Sequence, residues 1–302
     1  MSSEPYLNCD VVIVNYNAGK LLADCVLSAL TTNVTHIIVV DNDSTDDSLT
    51  HLRSIKSERI TILANDKNLG FAAGCNIAYS RAKSDFALFL NPDCHLDENA
   101  ISTLINVLQS NPSIGMVGGL LTNPDGSEQQ GGRRAIPTPW RSFVRAFGLH
   151  HLAKYWPNLF FDFHLHKQAL PSQPIEVEAI SGACMLVKRE AIEDVGLWDE
   201  GYFLHCEDLD WCMRFQQNGW KTLFVPAAKI THTLGACSKS RKIFVEWHKH
   251  KGMLRFYHKF FKQQYPGPLM ALVAVGVSLR FLLVASYFSG QCLLNNLKIS
   301  LK

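Results

Sequence analysis

Short apolar runs, each closed by a carboxamide or a carboxylate, constrain this chain more than any other feature. Asp10–Val14 is β-branched and leads to Asn15, His36–Val40 leads to Asp41, and Phe86–Leu90 leads to Asn91-Pro92-Asp93. Runs of this length and composition predict strands buried on both faces. Helical patterns lie between them. Leu22, Val26, Ala29 and Leu30 share one helical face. Ser44 resembles an N-cap, with Asp46 and Asp47 in the first turn and Leu49 and Leu52 turned inward. Ile60–Leu63 predicts a further strand, Phe71–Ala82 a helix rich in small residues, and Asp97–Gln109 a helix with Ile101, Leu104, Ile105 and Leu108 inward. Strands joined by helices of this length imply an α/β fold with a mostly parallel sheet flanked by helices. Ligands of such sheets bind beyond the carboxyl ends of the strands. Asp41, Asn68 and Asp93 all fall just after strands.

The periodicity fails from Asn123 to Pro174, where Gly131-Gly132-Arg133-Arg134, several prolines and scattered aromatics predict a long, partly mobile excursion. Order returns with Val177–Val187, a helix over Arg189–Val195, and another from Glu207 to about Asn218, closed by Gly219. Lys221–Val225 and Lys229–His232 read as short strands. At 302 residues the chain suits one large domain with an appendage. The expected division is a domain over residues 1–235 followed by a basic and apolar helical region, 236–302. Within the domain, residues 1–122 are expected to bind the nucleotide and residues 123–235 the acceptor.

A net charge of +2 implies no polyanionic partner such as a nucleic acid. The charge is unevenly spread, with eight Lys or Arg against the single Glu246 between Lys239 and Lys262. Beyond them Pro268–Phe288 is almost wholly apolar, interrupted by Arg280. About 20 apolar residues can span a bilayer, and a central Arg costs roughly 2.5–3.5 kcal/mol. A buried helix is the competing reading. The basic stretch favours membrane association, and whether the segment spans or lies in the interface stays open. The N-terminus has neither the basic nor the apolar region of a signal peptide. Nine cysteines without a CxxC pair predict reduced thiols in a cytosolic compartment. A zinc site from Cys206, Cys212, His205 and His232 is the rival reading, although their spacing fits no closed zinc pattern.

Several residues carry chemistry. Asp41, inside VVDNDSTDDS, can accept a hydrogen bond from a nucleobase or a ribose hydroxyl; a capping turn is the plainer reading. Asn91-Pro92-Asp93 delivers a carboxylate rigidly from a strand end and is the candidate site for Mg²⁺ or Mn²⁺, which would neutralise a diphosphate. The segment NLGFAAGCN, Asn68 to Asn76, lets backbone approach a ligand but is not a GxGxxG fingerprint. FLHCEDLDW places Glu207, Asp208 and Asp210 at the start of a helix between Phe203 and Trp211. Acids there suit the helix dipole. Desolvation beside aromatics also raises a carboxyl pKa, which suits a base. His232 ends a strand, where it is either a metal ligand or a packed residue.

In the order VVIVNYN, VVDNDSTDDS, NLGFAAGCN, LFLNPDC, ISGACMLVKREAIEDVGLWDEGYF and HCEDLDW, the chain resembles family 2 glycosyltransferases of GT-A (Rossmann-like) fold, in their rhamnosyltransferase-like branch. The resemblance implies inverting transfer of a sugar from a nucleotide-sugar, with Asp208 and Glu207 as the acidic pair supplying the base. It implies a donor side of Asn15, Asp41, Asn42, Asn68, Gly70, Phe71, Asn76 and Asn91, and a metal site of Asp93 completed by His232. Gly182, Trp198, Asp199 and Trp211 are expected on the acceptor side. Asn91 stands where the family's metal motif has its first Asp, so one carboxylate is missing. The branch implies dTDP-rhamnose as donor and a saccharide or polyprenyl-diphosphate-linked acceptor, in bacterial surface polysaccharide synthesis at the cytoplasmic face of the inner membrane. A UDP-sugar donor, a nucleotidyltransferase and a non-catalytic sugar-binding protein are the alternatives.

Overall fold

The computed structural model describes residues 6–233 and 241–300, with side chains as far as Gln291. The first five residues, the boundary expected at 235/236 and Lys239 of the basic stretch lie outside the described residues.

The alternating pattern folds as β1 (Leu7–Asn15), α1 (Lys20–Thr31), β2 (Val34–Asp41), α2 (Ser48–Arg53), β3 (Ile60–Ala64), α3 (Phe71–Tyr79) and β4 (Phe86–Leu90). Then come β5 (Cys94–Leu96), α4 (Ala100–Gln109) and β6 (Ile114–Thr122). Strands β3, β2, β1 and β4 lie side by side and parallel. Each presents apolar residues to both sides, as strands covered on both faces must. Val12, Val14, Ile38 and Val40 enter one core with α3, while Val11, Ile13, Ile37 and Val39 enter the other with α1 and α4.

The excursion that follows is more ordered than its composition predicts. It holds β7 (Arg133–Arg134) and α5 (Pro139–Ala146), and leads to the short strands β8 (Ile175–Glu176) and β9 (Ala179–Ile180). Strand β7 pairs with β9 in a small sheet of its own. Thr138 caps α5 by accepting from the Arg141 amide, with Pro139 at the first helical position. Arg133 is buried and ties the segment down through Glu128, at 2.7 Å, and the Gln168 carbonyl, at 3.0 Å.

The second half extends the main sheet. Strand β10 (Cys184–Lys188) runs antiparallel between β4 and β6, and β11 (Lys221–His232) runs parallel to β6, with β8 on its far side. The two short strands expected at 221–225 and 229–232 are one strand with a register shift between Val225 and Lys229, around Pro226. Proline supplies no amide to the ladder, so the strand bends there without ending. Strand β5 closes the edge antiparallel to β11, setting His232 opposite Cys94. The helices α6 (Arg189–Val195) and α7 (Glu207–Gln217) cover the face already occupied by α3.

The basic stretch forms α8 (Lys242–Phe261), which belongs to the core, since Phe256, Tyr257, Phe260 and Phe261 are buried in it. The apolar stretch forms α9 (Gly267–Ser300). Phe281 of α9 packs on Trp247 and His250 of α8, and Met270, Val273 and Val277 lean on the core. Its other faces leave Leu272, Val275, Leu279, Leu282 and Leu283 exposed. Residues Gly267–Gln291 are long and apolar enough to cross a membrane, with none of that stretch buried.

Candidate active site

The parallel strands bring Asn15, Asp41 and Asn91 to one edge of the sheet, and β11 brings His232 to the same edge. Asp41 is buried and spends its carboxylate on the Asn15 amide at 2.6 Å and the Ser44 backbone N–H at 3.0 Å. Asn15 is fully buried, and its Oδ1 has no hydrogen-bond partner among the described residues. Asn42 donates to the Gly70 carbonyl at 3.0 Å and accepts from Asn65 at 2.8 Å. Asn68 accepts from the Gly70 amide. Gly70 has φ 90°, and a Cβ there would lie 2.6 Å from the Phe203 carbonyl. The adjacent Phe71 amide donates to that carbonyl at 2.8 Å. The glycine therefore lets the start of α3 clamp the loop that carries the acidic cluster.

Asp93 and His232 meet, with Nε2 3.1 Å from the carboxylate Oδ1 and both side chains buried. Gln129 decides what this contact is. Its amide nitrogen donates to the Asn123 side chain at 3.0 Å and the His232 carbonyl at 3.1 Å, so its oxygen faces His232 Nδ1 at 2.6 Å. That oxygen can only accept, so Nδ1 carries a proton, and Nε2 is the ring atom turned toward Asp93. Asn91 Nδ2 lies 3.4 Å from the same Nε2. An imidazole nitrogen and a carboxylate converging in a buried place are a ligand pair that suits a divalent ion. Cys94 is within the same group. Burial keeps its thiol protonated by pushing its pKa well up, and it donates to the Ala183 carbonyl at 3.4 Å. Among the described residues, Cys206, Cys212, His205 and His232 do not gather as a zinc site would require.

The second half of the site begins with a backbone turn at His205 (φ 67°) and Cys206 (φ 71°), a left-handed pair that non-glycine residues seldom adopt. Helix α8 braces it, for a Cβ on Gly252 would lie 2.7 Å from the His205 carbonyl. Beyond the turn α7 starts with three acids in three different settings. Asp210 is 0 % exposed and neutralised by Arg214 at 2.7 Å and Lys259 at 2.6 Å. Glu207 is buried; desolvation first, and the neighbouring Asp208 second, raise its pKa to about 8. Its Oε2 has no partner. Asp208 alone keeps an accessible side chain, at 14 %. Its Oδ2 accepts from the Gly182 amide at 3.2 Å and from Arg134 on β7.

The loop Gly182-Ala183 joins the two halves. Gly182 touches Asp208, while the Ala183 carbonyl accepts from the Asn91 amide at 2.9 Å. A surface cavity lined by Asp24, Leu27, Thr31, His95 and Glu98 lies at the β5 edge and contains none of these residues.

Three residues expected on the acceptor side stand elsewhere. Trp211 is fully buried, donates to the Gly196 carbonyl at 2.9 Å, and packs on Phe89 and Trp198. Trp198 is likewise a core residue. Burial among aromatics leaves neither ring a face for a saccharide. The Asp199 carboxylate turns to α8. Burial pushes its pKa up, but hydrogen bonds from Lys259, the Gly201 amide and Arg255 outweigh this and hold it at about 2. Asn76, expected at the donor, spends its amide on the Trp198 backbone, at 3.0 and 3.1 Å. Arg134 and Gln129 escaped the sequence reading. Both sit in the irregular stretch, where the only signal was the Gly-Gly-Arg-Arg run.

Residues 10–196, more than half the chain, match the model of glycosyl transferase family 2. An N-acetylglucosaminyl-diphospho-decaprenol L-rhamnosyltransferase of Mycobacterium tuberculosis is 28 % identical over 237 residues, 74 % of this chain and 75 % of the relative. Rhamnosyltransferase WbbL of Escherichia coli is 27 % identical over 174 residues, 54 % of this chain and 60 % of its own length. Among solved structures, GalNAc-T7 with UDP, GalNAc and Mn²⁺ superposes with a TM-score of 0.60 at 18 % identity, covering 85 % of this chain and 48 % of that one. A mannosyltransferase of Pyrobaculum calidifontis with GDP-Man and Mn²⁺ gives 0.57 at 14 % identity, covering 98 % and 81 %. These two share the GT-A fold described above. The match over more than half of the chain shows the family: this chain belongs to glycosyltransferase family 2 and is a glycosyltransferase.

Proposed function

We propose that the enzyme transfers L-rhamnose from dTDP-rhamnose, with inversion, to a saccharide carried on a polyprenyl diphosphate. The observation that carries the reading of the site is the division of labour in the acidic cluster. Asp210 is neutralised by two cations, Glu207 is buried with its pKa raised to about 8, and Asp208 alone of the three keeps an accessible side chain. Asp208 is therefore the base that takes the proton of the acceptor hydroxyl as that oxygen attacks the anomeric carbon. With one accessible acid in this cluster, single displacement fits better than a covalent relay, hence inversion. Arg134 and the Gly182 amide fix the base. Arg134 must turn aside from Oδ2 when the hydroxyl arrives, and an acceptor diphosphate is a fitting new partner for a guanidinium.

Asp93 and His232, oriented by Gln129, would hold Mg²⁺ or Mn²⁺, which supplies positive charge to the departing diphosphate. Asn15, Asp41, Asn68 and Gly70 shape the donor end. Asn15 Oδ1 offers an unspent acceptor there, while Asn42 and Asn76 keep the loops in place. The name of the mycobacterial relative supports both rhamnose and a lipid-linked N-acetylglucosamine acceptor. The exposed apolar length of α9, next to the basic α8, supports attachment to the cytoplasmic face of the membrane.

The test is product analysis with dTDP-rhamnose, Mn²⁺ and a lipid-diphosphate-linked N-acetylglucosamine. Release of dTDP with an inverted rhamnoside is expected. Turnover only with UDP-sugars overturns the donor, and release of pyrophosphate overturns sugar transfer itself.

A further inference from the structure

The excursion between the sheet's two halves carries an aromatic surface that the chemistry leaves unused. Trp140 stacks on Phe143 with ring centres 5.6 Å apart, Phe143 meets Phe147 at 4.6 Å, and Trp140 and Trp156 both meet Phe160, at 6.4 and 6.2 Å. The rings form one continuous patch rather than scattered exposed residues. Phe147 is 69 % exposed and Trp156 58 %. The Trp140 indole is satisfied by the Leu159 carbonyl at 2.7 Å, which holds its ring flat against the patch. A contiguous open apolar surface of this kind marks an interaction site.

Charge identifies the partner. From Pro139 to Leu170 there are four Lys or Arg and a single acid, Asp162; Arg141 pairs with Glu178, and Arg145 and Lys167 share Asp162, which leaves a modest positive excess. Lys154 lies over the Tyr155 ring at the patch border, at 5.9 Å. Tryptophan and tyrosine with interspersed cations is the composition that settles at the headgroup level of a bilayer. Helix α8 fixes both the patch and α9 to the same core. Tyr257 of α8 bonds Ser142 of α5 at 2.7 Å, while Trp247 and His250 of α8 hold Phe281 of α9. At its other end the excursion reaches the base, since Arg134 bridges to His164 and bonds Asp208.

We infer that the aromatic patch of residues 140–160 is a second membrane contact, separate from α9, that seats in an anionic lipid surface and presents the cleft to a lipid-borne acceptor. The binding stands by itself; its use in catalysis rests on the lipid-linked acceptor proposed above.

The full-length protein is mixed with vesicles of brominated phosphatidylcholine and phosphatidylglycerol, in a Trp247→Phe background that silences the tryptophan beside α9. The bromines are expected to quench tryptophan emission, and Trp140→Phe with Trp156→Phe to remove most of that quenching. Unchanged quenching in the double variant overturns the inference. A second arm replaces the exposed Phe147 and Trp156 by Asp. Transfer to a long-chain acceptor in vesicles should fall roughly tenfold, while transfer to a short-chain, water-soluble acceptor is unchanged. An equal fall on both acceptors overturns the inference. So does a detergent-solubilised dimer that the Asp variant converts to monomer without any lipid quenching, because the patch then joins two copies of the chain. Failure of the unsubstituted protein to transfer to either acceptor would sink the functional reading and leave the quenching result standing.

Discussion

The two halves of the active site are built in opposite ways. The half around Asp93 and His232 stands on strand ends, where ladder register fixes the side chains. His232 faces Cys94 across β5 and β11, and Gln129 sets the tautomer behind it. The half around Asp208 stands on a left-handed turn, a glycine loop and a two-residue strand, held by Arg134, Gly182 and α8. A diphosphate and its ion need a fixed seat, since the electrostatic gain depends on preorganised charge. An acceptor that arrives on a lipid needs a base whose counter-ion can change partners. The function proposed above thus assigns rigidity and adjustability to separate regions, joined by Gly182-Ala183.

The comparison breaks most visibly at Asp93. Asp93→Asn is expected to abolish metal-dependent donor binding and lower transfer by about a thousandfold, followed by calorimetry and turnover. Retention of tight Mn²⁺-dependent donor binding would move the ion elsewhere. Arg134→Met should leave donor affinity intact and cost about a hundredfold in transfer, because Asp208 loses its orientation. Equal losses in donor affinity and transfer would make Arg134 a member of the donor half. Gln129→Leu frees the His232 tautomer and should weaken metal binding by roughly tenfold to a hundredfold, with Gln129→Glu restoring some of it. The smallest effect concerns pH. Glu207 is ordinarily near 4.5 and is raised to about 8 in the folded chain. The unfolded chain therefore releases this proton first, and stability falls as pH rises from about 4.5 to 8. Glu207→Gln should flatten that slope in denaturation curves at about pH 5.5 and 7.5, a difference the native protein keeps.

Residues on regular elements were legible in the sequence, and residues placed by long-range loops were not. Strands β1, β2 and β4 announce themselves by apolar runs, and each delivers its polar residue to the expected edge. The acidic cluster was legible as a run, because Glu207, Asp208 and Asp210 stand together between Phe203 and Trp211. Which of them faces solvent depends on Arg214, Lys259 and Arg134, two of which lie far away in sequence. Trp198 and Trp211, expected on the acceptor side from the resemblance, are core residues because packing against Phe89 claims both rings. The 123–174 stretch read as a partly mobile excursion because its order rests on Arg133, buried against partners up to 36 residues away, and on a single capped helix.

The separation of roles is tested most directly by Asp208→Asn, a nearly isosteric change that keeps the acceptor for the Gly182 amide. Donor affinity with Mn²⁺ and single-turnover transfer are measured on the same folded preparation. The account predicts donor binding within about twofold of the native protein and transfer lowered by roughly 10²–10⁴-fold, the usual cost of a lost general base. Transfer at the native rate, or donor binding lost together with it, would contradict the assignment of the base to Asp208 and the division of the cleft into two halves.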